Sequence, residues 1–587
     1  RITNTPEQER TVSFSPDGRS ILYAGERGGS WNIYQTSLVR EEEKFFFNST
    51  LLKESVVIGT DAEEFQPAFS PDGKEVAFLE ERTTLRVVNL GSKTVRTVLP
   101  GDRNYSYSDG DQHYQWSPDG KWFLVEFLQP NQWIGQAGLV DAAGGKEPVN
   151  LTKSGYGNYQ AKWMMDGKMM LWFSDRDGMK NDASWGGQAD AYGMFFTQEA
   201  FDRFSMSKED FDILKEEEKE KEKNKEKDKE KESSKDTGKS KAADKEKKEE
   251  EPKPVDPLKF ELEGIEYRKQ RLTIHSSDLA DALLSKDGEK MFYLARFEKG
   301  FDLWQTELRT KETKILLKLG AGGAGAMTLD KEGKNIFLIS DGKILKVEVE
   351  GGKQESVGIK GEMSLNESIE RSYLFDHAWR QAKKKFYVKD LHGVDWDGYR
   401  NDYSRFLPYI NNNYDFAEML SELLGELNAS HTGARYRSGL ALGDQTASLG
   451  VFYDFSYSGN GLKIQEIMAK SPLIRNGSKI KAGVIIEKID GAEITSVTNY
   501  NDLLNRKAGR NTLLSIYDPE AKSRWEEVVK PISLGEEGEL RYKRWVERCR
   551  FIVDSLSGGR IGYVHVRGMD DRSFRTVYEE ALGKNAN

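Results

Sequence analysis

A serine and a histidine stand side by side late in the chain, in the run Gly425-Glu426-Leu427-Asn428-Ala429-Ser430-His431-Thr432-Gly433. This histidine is one of only six in 587 residues, and an imidazole titrates near neutral pH. A serine hydroxyl is a poor nucleophile until a base removes its proton, so His431 is a candidate general base. The alternative is a histidine that caps a helix or packs in a core.

The other five histidines are interpreted as structural, because none has a metal-ligand partner at a useful spacing. They are His113, His275, His377, His392 and His565. Asp395 and Asp397 resemble a carboxylate pair, but helix capping explains them better. The single cysteine, Cys549, excludes an internal disulfide. The sequence therefore predicts no metal and no cofactor.

Composition sets wide limits on the fold and the partners. A chain of 587 residues is long enough for about three to five domains. Its net charge of −10 gives no reason to expect a nucleic-acid partner. No apolar run of the sequence is long enough to span a membrane. The chain begins with Arg1 and ends directly after a helix-like stretch. Both ends read as cut, so a missing signal peptide says nothing about export.

A turn motif recurs through the first half of the chain. Ser15-Pro16-Asp17-Gly18 returns at Ser70 and at Ser117, and degenerate copies carry Gly167, Gly288 and Gly333. Each copy lies between two short apolar strand patterns, which is a hairpin signal. A period of about 45 to 50 residues with about four strands in each unit predicts a β-propeller. The sequence predicts six blades in residues 1–352. A seventh blade before residue 1 is the alternative to a six-bladed propeller. The alternative is a sandwich of independent hairpins.

One interval of the repeat is much longer than the others, at 121 residues between Gly167 and Gly288. It contains a tract from Lys215 to Glu251 made almost wholly of Lys and Glu. Such a tract cannot bury apolar surface. The sequence therefore predicts one blade plus a Lys/Glu-rich insertion at about 205–260 that is disordered or forms a solvated helix.

Helical periodicity replaces the strand pattern after the repeats, in a part of the chain placed at 362–440. Aromatic and aliphatic residues follow helical spacing from Ile369 to Trp379, and two further helices are predicted over Asp397–Leu407 and Phe416–Leu427. Ser430 and His431 follow the last of these helices, where a side chain can face a cleft.

Four segments of this region resemble the tricorn protease family. The members of that family are serine peptidases related to the tail-specific proteases. They are Phe375-Asp376-His377-Ala378-Trp379-Arg380, Phe386-Tyr387, His392-Gly393-Val394-Asp395-Trp396 and Leu423-Leu424-Gly425-Glu426-Leu427-Asn428-Ala429-Ser430-His431-Thr432. The resemblance implies the order propeller, small helical domain, PDZ domain and α/β catalytic domain. It also implies that His431 is the general base and that Ser430 belongs to the same hydrogen-bonded set.

A peptide-binding module is expected at 441–535. Ser448-Leu449-Gly450-Val451-Phe452 resembles the loop and strand of PDZ domains, whose backbone N–H groups hold a peptide carboxylate. Leu449, Gly450 and Val451 are thus the candidate peptide-binding residues. Lys481-Ala482-Gly483-Val484-Ile485 and the residues after it match a strand and turn of protease-associated PDZ domains. A small β-barrel without peptide binding is the alternative.

Residues 536–587 resemble the opening of the family's catalytic α/β domain. Arg560-Ile561-Gly562-Tyr563-Val564-His565-Val566 has the pattern of a buried strand. Neither Ser555, Ser557 nor Ser573 has the context of a nucleophile. The resemblance therefore places the nucleophilic serine and the orienting glutamate beyond residue 587, and this stretch alone is expected to be inactive.

The leading hypothesis is a serine peptidase acting on peptides or unfolded polypeptides. The resemblance adds a homo-oligomer, a hexamer in the family, and a cytoplasmic location, with a periplasmic one as the alternative. A second hypothesis is a non-catalytic propeller–PDZ protein that binds peptides or proteins. A third, a hydrolase of the prolyl-oligopeptidase type, needs a G-x-S-x-G motif after the propeller, and the sequence has none.

Overall fold

The structure, a computed structural model, describes residues 2–3, 5, 7–106, 110, 112–179, 187–233, 256–439 and 443–584. The chain forms two compact units, residues 1–434 and 435–587. In the described residues, no helix is long and apolar enough to cross a membrane.

Six antiparallel sheets of four strands each make up most of the described first unit, and each is a meander in which neighbouring strands follow one another in sequence. The first three sheets are β1–β4 (Glu9–Phe14, Ser20–Arg27, Ser30–Leu38, Leu52–Ile58), β5–β8 (Glu64–Phe69, Glu75–Glu80, Thr84–Asn89, Val95–Leu99) and β9–β12 (Tyr114–Trp116, Trp122–Leu128, Gly135–Asp141, Val149–Asn150). The other three are β13–β16 (Asn158–Met164, Met169–Ser174, Asp190–Phe195, Lys269–Arg271), β17–β20 (Asp278–Leu284, Lys290–Arg296, Phe301–Glu307, Thr313–Ala321) and β21–β24 (Ala324–Leu329, Asn335–Ser340, Lys343–Glu348, Gln354–Val357).

The recurring turn joins the first two strands of each sheet and satisfies its own polar groups. Ser15 Oγ donates to Asp17 Oδ1 at 2.5 Å and accepts from Ser20 N at 2.9 Å. Gly18 N donates to Ser15 O at 2.9 Å, and its φ of +70° lies in the left-handed region that glycine tolerates. The Ser and Asp of this repeated motif therefore serve to close a hairpin.

The turns of successive sheets touch one another in chain order. A Cβ built on Gly73 would lie 3.5 Å from Pro16 Cδ, and one on Gly120 would lie 3.5 Å from Pro71 Cδ. The same relation joins Pro118 to Gly167, Met165 to Gly288, and Lys286 to Gly333. Each sheet is thus the neighbour of the one before it, which is the arrangement of a β-propeller-like domain with six described blades rather than of independent hairpins.

Side chains on or next to the first strand of a sheet tie neighbouring blades together. Trp116 Nε1 donates to Ala68 O and Trp163 Nε1 donates to Gln115 O, both at 3.2 Å. His113 Nε2 lies 2.7 Å from Ala161 O, which confirms a structural role for this histidine. The first blade differs, because Val12 and Phe14 on β1 are 62% and 61% exposed. A seventh blade stays a prediction.

Replacing Trp163 with phenylalanine tests this tie between blades. We expect the free energy of unfolding to fall by about 1 kcal/mol more than in Trp304→Phe, because only the first change breaks a hydrogen bond between blades. Trp304 is the matched control, since its buried Nε1 has no hydrogen-bond partner among the described residues. Urea unfolding followed by circular dichroism measures both variants, and equal losses would contradict the prediction.

The long insertion interrupts the fourth blade between β15 and β16, and its described first part is helical, which is one of the two predicted forms. It begins with helices α1 (Gln198–Ser205) and α2 (Lys208–Ser233). Phe211, in the first turn of α2, is buried at 2% exposure and anchors the start of that helix. The Lys/Glu-rich residues 234–255 lie outside the described part. After them, Phe260 packs against Trp163 with ring centroids 6.2 Å apart, so the insertion rejoins the blade before residue 260.

Three helices, α3 (Glu367–Lys385), α4 (Trp396–Ser404) and α5 (Asn413–Gly425), follow the blades in the same unit. They enclose a core that includes Phe375, Phe416 and Leu423. Trp379 and Trp396 bind each other's backbone: Trp379 Nε1 donates to Trp396 O at 2.9 Å, and Trp396 Nε1 donates to Trp379 O at 3.0 Å. The helical pattern predicted from the sequence is confirmed, with α3 starting and α5 ending a few residues earlier.

The second unit is built on a twisted antiparallel sheet in the order β26-β27-β28-β30-β31, with β29 paired to β28 and a separate β25–β32 pair. Helix α6 packs beside it, and the helices α7 and α8 and a π-helical turn (Tyr578–Lys584) follow. The bounds are β25 Ala447–Ser448, β26 Val451–Tyr453, β27 Leu462–Ile467, β28 Ile485–Ile489, β29 Ala492–Glu493, α6 Tyr500–Leu504, β30 Thr512–Asp518, β31 Ser523–Val529, β32 Ile532–Ser533, α7 Leu534–Ser557 and α8 Asp571–Val577.

The buried strand expected at 560–566 is not formed. Ile561 and Val566 are 62% and 54% exposed, and His565 instead places Nδ1 2.8 Å from the Tyr542 hydroxyl on α7. A strand needs a neighbour to bond its backbone N–H and C=O groups. Among the described residues no strand lies beside this segment, so its apolar alternation alone does not make it a strand.

Candidate active site and its supports

Ser430 and His431 lie in a short exposed segment just after α5. Helix α5 ends at Gly425, Asn428 N donates to Gly425 O at 2.9 Å, and Leu427 is buried at 1% exposure. Asn428 and His431 then adopt φ values of +46° and +64°. Left-handed backbone is uncommon for residues other than glycine, and it recurs at sites where the surrounding structure fixes a side chain.

The His431 imidazole is exposed and makes no hydrogen bond within the described part of the chain. The geometry therefore does not support a capping or core role. An exposed neutral imidazole can take a proton from a reactant, but a base in a serine peptidase also needs a group that orients it. The described residues place neither a serine hydroxyl nor a carboxylate in a hydrogen bond with this ring, so they supply a candidate base without its partners.

Helix α3, at the start of the helical part, is fixed to the first blade by one buried carboxylate. Glu26, whose side chain is 1% exposed, lies 2.8 Å from His377 Nδ1 and 2.8 Å from Arg380 NH2, and it accepts a hydrogen bond from the Tyr373 hydroxyl. Burial alone would raise the pKa of Glu26, but the hydrogen bonds from these three α3 side chains lower it from 4.5 to about 2. Glu26 is thus held as a carboxylate at any pH near neutral.

A second buried carboxylate, on the second blade, receives the next turn of α3. Glu63 is fully buried and binds Arg82 at 2.8 Å and Lys384 at 3.3 Å. Gln381 bridges the pair, donating to Glu63 Oε1 at 3.1 Å and accepting from Arg82 NH2 at 2.7 Å. The propeller therefore fixes the helical part that carries His431 through two charged anchors.

The sequence reasoning found neither anchor. Glu26 and Glu63 stand at strand ends among other acidic residues, and their α3 partners come more than 300 residues later. The only signal was α3 itself, whose His377 and Arg380 stand one turn apart. His377 is nevertheless structural, as the sequence predicted.

The two aspartates near α4 are also structural. Asp395 caps the helix, because its side chain accepts a hydrogen bond from Gly398 N. Asp397 pairs with Lys383 at 2.8 Å. In the described residues, no group of three or more His, Cys, Asp or Glu side chains is placed to hold a metal ion.

The residues predicted to bind a peptide carboxylate are buried in the second unit. Leu449 and Val451 are 1% and 4% exposed. The Gly450 amide, which would face the carboxylate, donates instead to Ser448 Oγ at 3.0 Å, and a Cβ on Gly450 would lie 3.2 Å from Leu540 Cδ1 on α7. The Gly450 amide is thus already paired within the unit, and peptide binding by this loop stays a prediction.

Comparisons with known proteins find similarity in the same helical region. Residues 369–425, from α3 to the end of α5, match the model of the tricorn protease C1 domain. The tricorn protease homolog 1 of Streptomyces coelicolor is 28% identical over 277 residues, which cover 44% of this chain and 26% of that protein. The tricorn protease of Thermoplasma volcanium is 22% identical over 357 residues, covering 56% of this chain and 33% of the relative.

The fold agrees with this likeness. The crystal structure of the tricorn protease superimposes with a TM-score of 0.69 at 14% identity, and the match covers 98% of this chain and 53% of that one. A propeller-like domain with six described blades, followed by a helical part that is similar to the tricorn C1 domain, defines the class of protein. These matches confirm the predicted resemblance to tricorn proteases. It spans about half the length of the tricorn protease structure that it matches.

Proposed function

We propose that this chain is part of a serine-type peptidase of the tricorn type, with His431 as the general base. The observation that carries the proposal is an exposed histidine at φ +64°, directly after the helix that ends the C1 match. In that role the His431 imidazole takes the proton of a serine hydroxyl as the hydroxyl attacks a peptide carbonyl, and returns it to the leaving amine. Ser430 contributes to the same hydrogen-bonded set.

The nucleophile and the carboxylate that orients His431 are proposed to lie outside residues 1–587. Two observations support this placement: the described residues bring no serine or carboxylate into a hydrogen bond with the His431 ring, and the chain spans 53% of the tricorn protease structure. Residues 536–587 would open the domain that carries both groups.

The remaining parts take roles in handling the substrate. The propeller would admit peptides or unfolded polypeptides, and residues 441–535 would act as a PDZ domain. The sheet of the second unit supports this reading, because β26 lies at its edge and an edge strand can pair with an extended peptide. A homo-oligomer and a cytoplasmic location complete the proposal, both by likeness to the tricorn family.

A non-catalytic propeller–PDZ binding protein is the second candidate. It is favoured by the His431 ring, which nothing orients in the described part of the chain. The two candidates differ in turnover, since both would bind peptides.

The test is hydrolysis of fluorogenic peptides by the natural polypeptide that contains these residues, combined with labelling by a fluorophosphonate that reacts with activated serines. The peptidase proposal expects turnover, one labelled serine and loss of turnover after labelling. Peptide binding measured by fluorescence anisotropy, with neither turnover nor label, would decide for the binding protein.

A further inference from the structure

A turn between α3 and α4 reaches the segment that carries His431. His392 Nδ1 lies 3.2 Å from the carbonyl oxygen of Leu427, and His392 Nε2 lies 2.5 Å from the Tyr387 hydroxyl. Leu427 is four residues before His431, and its own side chain is buried at 1% exposure. The bond thus joins the turn to the chain four residues before the exposed histidine.

The protonation of His392 follows from its partners. The Leu427 carbonyl can only accept a hydrogen bond, so Nδ1 must carry the proton of that bond. In a neutral imidazole the other nitrogen is then an acceptor, which suits the Tyr387 hydroxyl as donor. One tautomer therefore satisfies both contacts, and the ring is oriented from two sides.

The backbone on both sides of this bond is held in an uncommon conformation. Leu391, His392 and Gly393 have φ values of +48°, +60° and +74°, and Asn428 and His431 are also left-handed. Each such residue other than glycine costs roughly 1–2 kcal/mol, so the conformation persists only where contacts enforce it. For the turn, those contacts are the buried Leu391 side chain, at 6% exposure, and the two bonds of His392.

We propose that His392 is a positioning residue, which holds the segment 428–431 so that the His431 imidazole meets its reaction partner. It acts through the Leu427 carbonyl and does not touch substrate. This inference rests on the proposed function, in which His431 is the base. A misplacement of about 1 Å in a catalytic group lowers a rate by about 100-fold, so a bond that fixes the segment has a kinetic consequence far larger than its share of stability.

The test compares two variants of nearly equal shape in the natural polypeptide. His392→Asn keeps an N–H donor close to the position of Nδ1, whereas His392→Asp keeps the shape but has no donor, and both residue types tolerate left-handed backbone. We expect His392→Asp to lower kcat for peptide hydrolysis by about 10- to 100-fold with KM within about threefold, and His392→Asn to stay close to wild type. A second readout is hydrogen exchange of amides 427–432, which should speed up in His392→Asp and not in His392→Asn.

The outcomes distinguish the positioning role of His392 from the general-base role of His431 on which it rests. If His431→Ala stays active, the proposed function fails. If His431→Ala is inactive while His392→Asp keeps wild-type kcat and wild-type exchange at 427–432, the positioning role of His392 alone is overturned. Equal loss of kcat in the Asn and Asp variants would also overturn it, because the loss would then not depend on the donor to Leu427.

Discussion

Replacing His431 with alanine is expected to lower kcat/KM for peptide hydrolysis by about 100- to 10,000-fold in the natural polypeptide, the range that a general base contributes. The physical reason is that no other imidazole in the described helical part is free to take the proton: His377 is bound to Glu26, and His392 is bound to Leu427 and Tyr387. Because the His431 side chain is exposed and makes no hydrogen bond in the described residues, its removal should leave the melting temperature unchanged. Steady-state kinetics and thermal unfolding measure the two quantities.

A matched control for this variant is available in the propeller. His275 is also exposed and lies in the connection between the fourth and fifth blades, so His275→Ala removes an imidazole of similar exposure from the propeller. It should keep wild-type kcat/KM. Turnover of the same peptide by His431→Ala at the wild-type rate would remove the general-base role, and a lowered melting temperature would instead assign His431 to the fold.

The blades could be predicted from the sequence because their signal is local and repeated. The Ser, Asp and Gly of Ser15-Pro16-Asp17-Gly18 all bond within six residues, so the turn forms wherever its motif occurs. Helices α3 to α5 are local in the same sense, since their apolar faces follow the 3.6-residue period. The resemblance then gave Ser430 and His431 their catalytic roles, and those roles stay a proposal.

Contacts between distant segments could not be predicted in this way. Glu26 meets Arg380 across 354 positions in the chain, and no period or motif links a strand end to a helix so far away. The strand predicted at 560–566 is wrong for the opposite reason. Its apolar alternation is a local pattern, but a strand forms only where a neighbouring strand bonds its backbone. The helix of the insertion agrees with one of the two predicted forms, but the Lys/Glu composition gave no sign of the contacts that Phe211 and Phe260 make at its two ends.

The strongest effect on stability is expected at Glu26. Glu26→Gln should lower the free energy of unfolding of the first unit by about 3 kcal/mol, the lower end of the range for breaking a buried ion pair, because Arg380 loses its counter-charge but keeps 24% of its side chain exposed. Urea unfolding of the intact protein measures this loss. Hydrogen exchange over α3 locates it, since amides of that helix should exchange faster.

The effect of pH gives Glu26 its own signature. In the folded protein the pKa of Glu26 is lowered to about 2 from its ordinary 4.5, because the α3 hydrogen bonds outweigh the opposing effect of burial. A carboxyl with a lowered pKa stabilises the folded state fully above pH 4.5 and loses that contribution as the pH falls toward 2. The difference between wild type and Glu26→Gln should therefore be constant near neutral pH and shrink across that window.

Glu54→Gln is the control for this prediction, because Glu54 lies on the same blade and pairs with Arg27 at 2.6 Å while keeping 37% of its side chain exposed. Exposed pairs contribute about 0–1 kcal/mol, so this variant should cost less than a third of the loss at Glu26. If the two variants are equally destabilised, the buried anchor to α3 is not what holds the helical part. His431 would then owe its position to the Glu63 anchor and to the packing of α3, α4 and α5, and the propeller could be altered at Glu26 without any change in peptide turnover.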